Sequence, residues 1–182
     1  MSASLLERKI RRCFDHLDVN RDGQIQAGDL MALASRLMSN FGVVPDSPKG
    51  RQLVSTFEDW WTKLVVAMDT SGDAQISPAE FEKGMIAAWI TDGQGYEQFF
   101  HPAADAIVAL SDTDGDGIVT RYEFQRFQEA FGTPPEKIDE AFEHLDADDD
   151  GFLSREEILR AFHEYYTTDS ADNPGNLLYG SI

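Results

Sequence analysis

Cysteine is nearly absent. A single residue, Cys13, stands among 182, so no internal disulfide can form and the chain must be held by packing or by something it binds. Cys13 lies beside Ile10 and Phe14 and is expected as a small core residue. Basic residues are scarce: 15 lysines and arginines face 33 aspartates and glutamates, for a formal net charge of −18. So negative a surface repels the phosphates of nucleic acid and of anionic membranes, and neither is expected as a partner. Long apolar runs are missing, and nothing approaches the roughly 20 residues that span a bilayer. The opening Met1-Ser2-Ala3-Ser4-Leu5-Leu6 carries no signal-peptide pattern and no glycine to accept a myristoyl group, so a cytoplasmic location is expected. The four histidines, His16, His101, His144 and His163, match no triad or metal-ligand spacing, and there is no phosphate loop or nucleophile elbow. No enzymatic activity is expected. His16 and His144 each fall two residues before an acidic loop and are expected to be solvated at helix ends.

What the chain does have is oxygen side chains at a fixed spacing. Asp112, Asp114 and Asp116 occupy positions 1, 3 and 5 of a 12-residue stretch; Gly117 sits at position 6, Thr120 at 9 and Glu123 at 12. A hard cation such as Ca2+ takes six to eight oxygens at about 2.3–2.6 Å, and a loop with this spacing wraps one ion in them. Position 7 contributes its backbone carbonyl, here that of Ile118. The pattern resembles the EF-hand calcium loop at every position.

It recurs three times. Asp146, Asp148, Asp150, the carbonyl of Phe152 and Glu157 repeat it without a fault. An earlier copy has Asp18, Asn20, Asp22, the carbonyl of Gln24 and Asp29; a closing aspartate is one methylene short, so weaker calcium binding or better Mg2+ tolerance is expected there. The remaining copy offers Asp69, Ser71, Asp73, the carbonyl of Gln75 and Glu80, but Ala74 stands at position 6. A left-handed backbone there costs a residue with a Cβ about 1–2 kcal/mol, so these residues form a weaker candidate set. Three ions are expected, or four if this loop fills.

An isolated acidic run is most simply a solvated turn, but these four share an apolar frame. Phe14, Val65, Val108 and Phe142 come four residues before position 1. Leu30, Phe81, Phe124 and Ile158 follow position 12. Position 8 is aliphatic in each, Ile25, Ile76, Val119 and Leu153, which suits a short β-bridge between loops set back to back. The first loop should therefore pair with the second, and the third with the fourth.

Between loops the apolar residues recur at helical intervals. Leu6, Ile10, Phe14 and Leu17 lead into the first loop; Leu30, Leu33, Leu37 and Phe41 lead out. Ser47 and Pro48 cap and start a long helix through Leu53, Phe57, Trp60, Trp61, Leu64 and Met68, with both tryptophans expected in the core. Ser77-Pro78-Ala79-Glu80 reads as a capping box before Phe81, Met85, Ala88 and Trp89. Asp92-Gly93-Gln94-Gly95 reads as a linker. The expected fold is all-α: four hands in two paired lobes packed into one globule, residues 1–94 and 95–166, with a tail over 167–182 whose apolar Leu177-Leu178-Tyr179 packs back on the body.

The layout is similar to that of the sarcoplasmic calcium-binding proteins and calerythrin-type proteins. That resemblance implies two hand pairs around a shared apolar core, acting as a calcium buffer or as a sensor. Phe14-Asp15-His16-Leu17-Asp18 and Tyr166-Thr167 with Leu178-Tyr179-Gly180 also resemble the coelenterazine photoproteins, but Ala161 stands where those carry a histidine and the chain closes on Ile182 rather than proline. A monomeric buffer or transporter of Ca2+ is the first expectation. A sensor acting on a protein partner is the second, and an apolar-ligand binder the third. The five methionines, at 1, 31, 38, 68 and 85, build no Met-rich groove of the kind that opening sensors expose.

Overall fold

The first helix begins where the sequence supplies a cap. Ser4 Oγ accepts from Glu7 N, and Glu7 Oε2 accepts from Ser4 N, so two amides that a helix end leaves orphaned are satisfied. The helix α1 then runs Leu5–Leu17 and buries Ile10, Cys13, Phe14 and Leu17. In this computed structural model, which describes residues 4–88 and 94–180, seven more α-helices follow. They are α2 (Ala27–Phe41), α3 (Pro48–Met68), α4 (Pro78–Ala87), α5 (His101–Ser111), α6 (Arg121–Ala130), α7 (Pro135–Leu145) and α8 (Arg155–Thr167). A π-turn, Tyr96–Phe100, leads into α5, and a 3-10 turn, Pro174–Leu177, follows α8. Trp89 and half of the expected linker, Asp92 and Gly93, lie outside the described residues.

Each acidic loop joins two helices, and the loops meet in pairs. Strands β1 (Ile118–Val119) and β2 (Leu153–Ser154) run antiparallel with Val119 opposite Leu153. Ile25 and Ile76 form the matching bridge in the other half. All four position-8 side chains are fully or almost fully buried.

One apolar core runs through both halves, where α3 lies along α5 and α2 against α6. Phe57, Phe81, Phe124 and Phe142 are each 0% exposed; burying such a side chain is worth about 1.5–3 kcal/mol. Trp60 is buried and Trp61 packs at the edge of the core. Val65 departs from the expected frame: it is half-buried, while Leu64 and Met68 turn inward.

His16 also departs from expectation. Rather than being solvated, its ring packs edge-on against Phe131 and Tyr179, with centroids 5.4 and 4.6 Å away. Burial, and then the charges of Arg12 and Arg36, pull its pKa down to about 3, so it stays neutral at physiological pH. The tail accounts for this. Tyr179 is 2% exposed and inserts between α1, α6 and α8. The Gln128 amide donates to the Leu178 carbonyl, and Arg12 donates to the Gly180 carbonyl at 3.3 Å. His144, by contrast, is exposed.

Candidate calcium centre

The last ligand of each loop is held by the core. Leu30, Phe81, Phe124 and Ile158, next in the chain after Asp29, Glu80, Glu123 and Glu157, are 0–3% exposed. Burying that neighbour fixes the first turn of the exit helix and thus the carboxylate that closes the loop. Each closing carboxylate also serves the helix cap. Thr120 Oγ1 accepts from Glu123 N, and Glu123 Oε2 accepts from Thr120 N at 2.9 Å; Ser77 with Glu80 and Ser154 with Glu157 do the same. The other oxygen reaches back across the loop: Glu123 Oε1 accepts from Thr113 N at 2.9 Å, Glu80 Oε1 from Thr70 N at 3.0 Å, and Glu157 Oε1 from Ala147 N at 2.8 Å. Asp29, despite its shorter side chain, does likewise, accepting from Asn20 N and Gln26 N. It is 2% exposed, and it bonds the amide of position 3 where all three glutamates reach that of position 2.

The first ligand of each loop accepts from two backbone amides, one of them always that of position 6. Asp18 accepts from Asp22 N and Gly23 N, Asp69 from Gly72 N and Ala74 N, Asp112 from Gly115 N and Gly117 N, and Asp146 from Asp150 N and Gly151 N. At position 5, Asp22, Asp73, Asp116 and Asp150 accept from the amides of Gln24, Gln75, Ile118 and Phe152. Those bonds turn the carbonyls of the same four residues into place at position 7. At position 3, Asn20 and Asp114 accept from the amide two residues on, and Ser71 donates to Asp69.

Carboxylates are drawn together most closely in the third and fourth loops. Oxygens of Asp112, Asp114 and Asp116 lie within 4.8 Å of one another, as do those of Asp146, Asp148 and Glu157. Unscreened, such a cluster repels itself. Desolvation, followed by the charges of Asp150, Glu157 and Asp146, pushes the Asp148 pKa up. Glu123 stays below the usual carboxylate range: burial pushes it up, but the bonds from Thr113 and Thr120 outweigh that. Hydrogen bonds from the Ser77 amide and then its hydroxyl pull Glu80 down to about 2. Ionised oxygens, several per loop and hard in character, are the donor set that Ca2+ takes.

Sequence reasoning missed the turn at position 4. Arg21, Gly72, Gly115 and Asp149 all have positive φ, between 58° and 79°. The glycines at 72 and 115 were the available signal. At position 6, Gly23, Gly117 and Gly151 have φ of 85–89°, and Ala74 takes φ 58° in their place. The second loop therefore keeps the shape of the others, at the cost of strain.

Comparison with known proteins agrees with this geometry. A model of the EF-hand domain pair matches residues 7–86, and single EF-hand models match 112–128 and 137–167. A calcium-binding protein of Streptomyces coelicolor, of known structure, is 32% identical; the match covers 91% of this chain and 99% of that one, with a TM-score of 0.78. The chain belongs to the EF-hand calcium-binding proteins. Calerythrin of Saccharopolyspora erythraea is 20% identical over 91% of this chain and 94% of its own. A sarcoplasmic calcium-binding protein from amphioxus shares the fold over the full length of both chains, with 20% identity and a TM-score of 0.79. This EF-hand chain therefore has the mainly helical, paired-hand architecture that its spacing predicts, with short β-bridges between paired loops, and it binds calcium.

Proposed function

We propose that this EF-hand chain is a monomeric cytoplasmic calcium buffer, without enzymatic activity, that takes up three Ca2+ ions and a fourth in the strained second loop. Ions in the first, third and fourth loops would be held by the oxygens of Asp18, Asn20, Asp22, Asp29; Asp112, Asp114, Asp116, Glu123; and Asp146, Asp148, Asp150, Glu157, with Mg2+ competing best at Asp29. The observation that carries the buffer reading is where the flexible apolar side chains sit. Met38, Met68 and Met85 are at most 5% exposed, and Met31 packs against the core. The large apolar side chains that are exposed, Val44, Val66, Tyr122 and Phe152, are scattered among the described residues rather than gathered into a groove.

A second reading has specific support. The Streptomyces coelicolor relative is described in terms of calcium-mediated regulation, which favours a sensor that acts on a partner protein. An apolar-ligand role has less. The interior cavity between Cys13, His16, Trp60, Phe131, Tyr166 and Tyr179 is about 20 Å3, room for one water, whereas ligand pockets run to about 300–1,000 Å3. Retention on a hydrophobic column with chelator and then with millimolar Ca2+ decides between buffer and sensor. A buffer elutes alike in both; a sensor is held only when calcium is present.

A further inference from the structure

Lys49 stands where its own helix gives it no reason to be. It occupies the first turn of α3, after the Ser47 cap and Pro48. The positive end of the helix dipole lies there and disfavours a cation. That turn contains no acidic residue, and no ion pair involves Lys49 among the described residues. Its ammonium instead crosses to the other half of the molecule and donates to the carbonyl of Asp112 at 2.5 Å. Asp112 is the C-cap of α5, whose last turn has no basic residue of its own, so the negative end of that dipole takes its cation from α3. The start of α3 is held in position by Gly50, where a Cβ would come within 2.4 Å of the Val44 carbonyl. Among the described residues, no lysine reaches the first residue of any other loop.

Asp112 is also the first ligand of the third calcium loop. Its carboxylate is turned inward onto Gly115 N and Gly117 N, and Lys49 meets the carbonyl on the outside. A positive charge at that point, carried on an exposed side chain, steadies the empty loop, where three carboxylates crowd together, and opposes a second cation entering it. We propose that Lys49 sets the affinity of the third site, stabilising the ion-free loop and weakening its hold on Ca2+.

The proposal rests on the calcium-binding reading and concerns one residue within it. Two quantities are measured on the full chain for wild type, Lys49→Met and Lys49→Arg: calcium affinity by chelator competition in about 0.05 M and about 0.5 M KCl, and the thermal midpoint in excess chelator. Lys49→Met is expected to tighten one site about two- to fourfold at low salt, with the gain fading at high salt where the Debye length is short, and to lower the chelator midpoint. Lys49→Arg should behave as wild type. In an Asp112→Ala background, where the third site is disabled, Lys49→Met should leave the remaining affinities unchanged. A lysine that only caps α5 would weaken both binding and the empty protein when removed. Weaker or unchanged affinity in Lys49→Met, or a gain that survives Asp112→Ala, overturns the proposal. Wild type that binds no calcium overturns the underlying reading instead.

Discussion

Ile25 and Ile76 exchange two backbone hydrogen bonds, Ile25 N to the Ile76 carbonyl at 2.9 Å and Ile76 N to the Ile25 carbonyl at 3.0 Å. Both side chains are 0% exposed. Each residue sits at position 8, next to the position-7 carbonyl of its loop, so the backbone of one site cannot shift without moving the other. Filling the first loop should therefore organise the second. Disabling the first by Asp18→Ala is expected to weaken the second at least about fivefold, the low end of ordinary site-to-site coupling. Calorimetric titration reads this as the loss of more than one ion's worth of binding at micromolar calcium. Loss of a single ion with the others unmoved would mean that the bridge carries no coupling.

Ala74 holds φ 58° where its counterparts are glycines. A Cβ built on Gly23, Gly117 or Gly151 meets nothing within 4 Å, so strain at this position is purely a matter of backbone conformation. Ala74→Gly should then relieve about 1 kcal/mol, and Gly117→Ala should cost about as much. Thermal midpoints in chelator would move in opposite directions by a few degrees. A stabilised Gly117→Ala would contradict the strain account.

The loops were legible in the sequence because cation chemistry dictates residue type at fixed intervals. The helices were legible because core contact dictates apolar spacing. The pairing of loops was legible from four aliphatic residues at position 8. His16 was not: a histidine two residues before a loop looks like a solvated helix end, and it is Phe131 and the returning Tyr179, both far along the chain, that bury it. Lys49 was invisible for the same reason. Its partner, Asp112, lies in the other half, and no local pattern joins an N-terminal helix turn to a distant C-cap. Residues whose role depends on their own neighbours along the chain could be read; those whose role depends on tertiary contact could not.

Glu123 carries several contacts at once. It is 6% exposed, caps α6 through Thr120 and accepts from Thr113 across the loop. Glu123→Gln keeps the shape, replaces one acceptor oxygen by a donor and removes the charge. The Thr113 or Thr120 amide then faces an NH2 group, and the ion loses a bidentate ligand. Calcium affinity of the third site should fall at least tenfold, about 1.4 kcal/mol, in calorimetric titration. Unchanged affinity and stoichiometry would remove Glu123 from the binding set.

The buried tyrosines make the fold sensitive to alkali. Burial pushes the hydroxyls of Tyr96, Tyr165, Tyr166 and Tyr179 well above their ordinary value, with neighbouring groups such as Tyr165 and Cys13 adding to the rise at Tyr166. In the unfolded chain they ionise near pH 10. Above that pH the folded state keeps protons that the unfolded state has released, so stability falls as pH rises. Below pH 10 these groups are protonated in both states and their contribution is fully present. Lys9 acts in the opposite sense. Burial draws it down to about 8, against the pull of Asp169 and Glu164, so between about pH 8 and its unfolded value near 10.4 the unfolded state holds the extra proton and stability rises slightly. Cys13 opposes that rise. Burial pushes its thiol up to about 12 from an ordinary value near 9, so above about pH 9 the folded state keeps a proton that the unfolded state has released. Beyond about pH 10 the four tyrosines add to the loss. The thermal midpoint at constant calcium should therefore change little between about pH 8 and 10, then drop steeply beyond about pH 10, with the buried tyrosines' tyrosinate absorbance appearing together with the loss of helical circular dichroism. Lys9→Met should leave the Cys13 loss uncompensated, so that the drop begins near pH 9. More tyrosinate at about pH 10 than the one exposed tyrosine, Tyr122, can supply, while the helices persist, would mean that the buried rings are open to water, contrary to their packing.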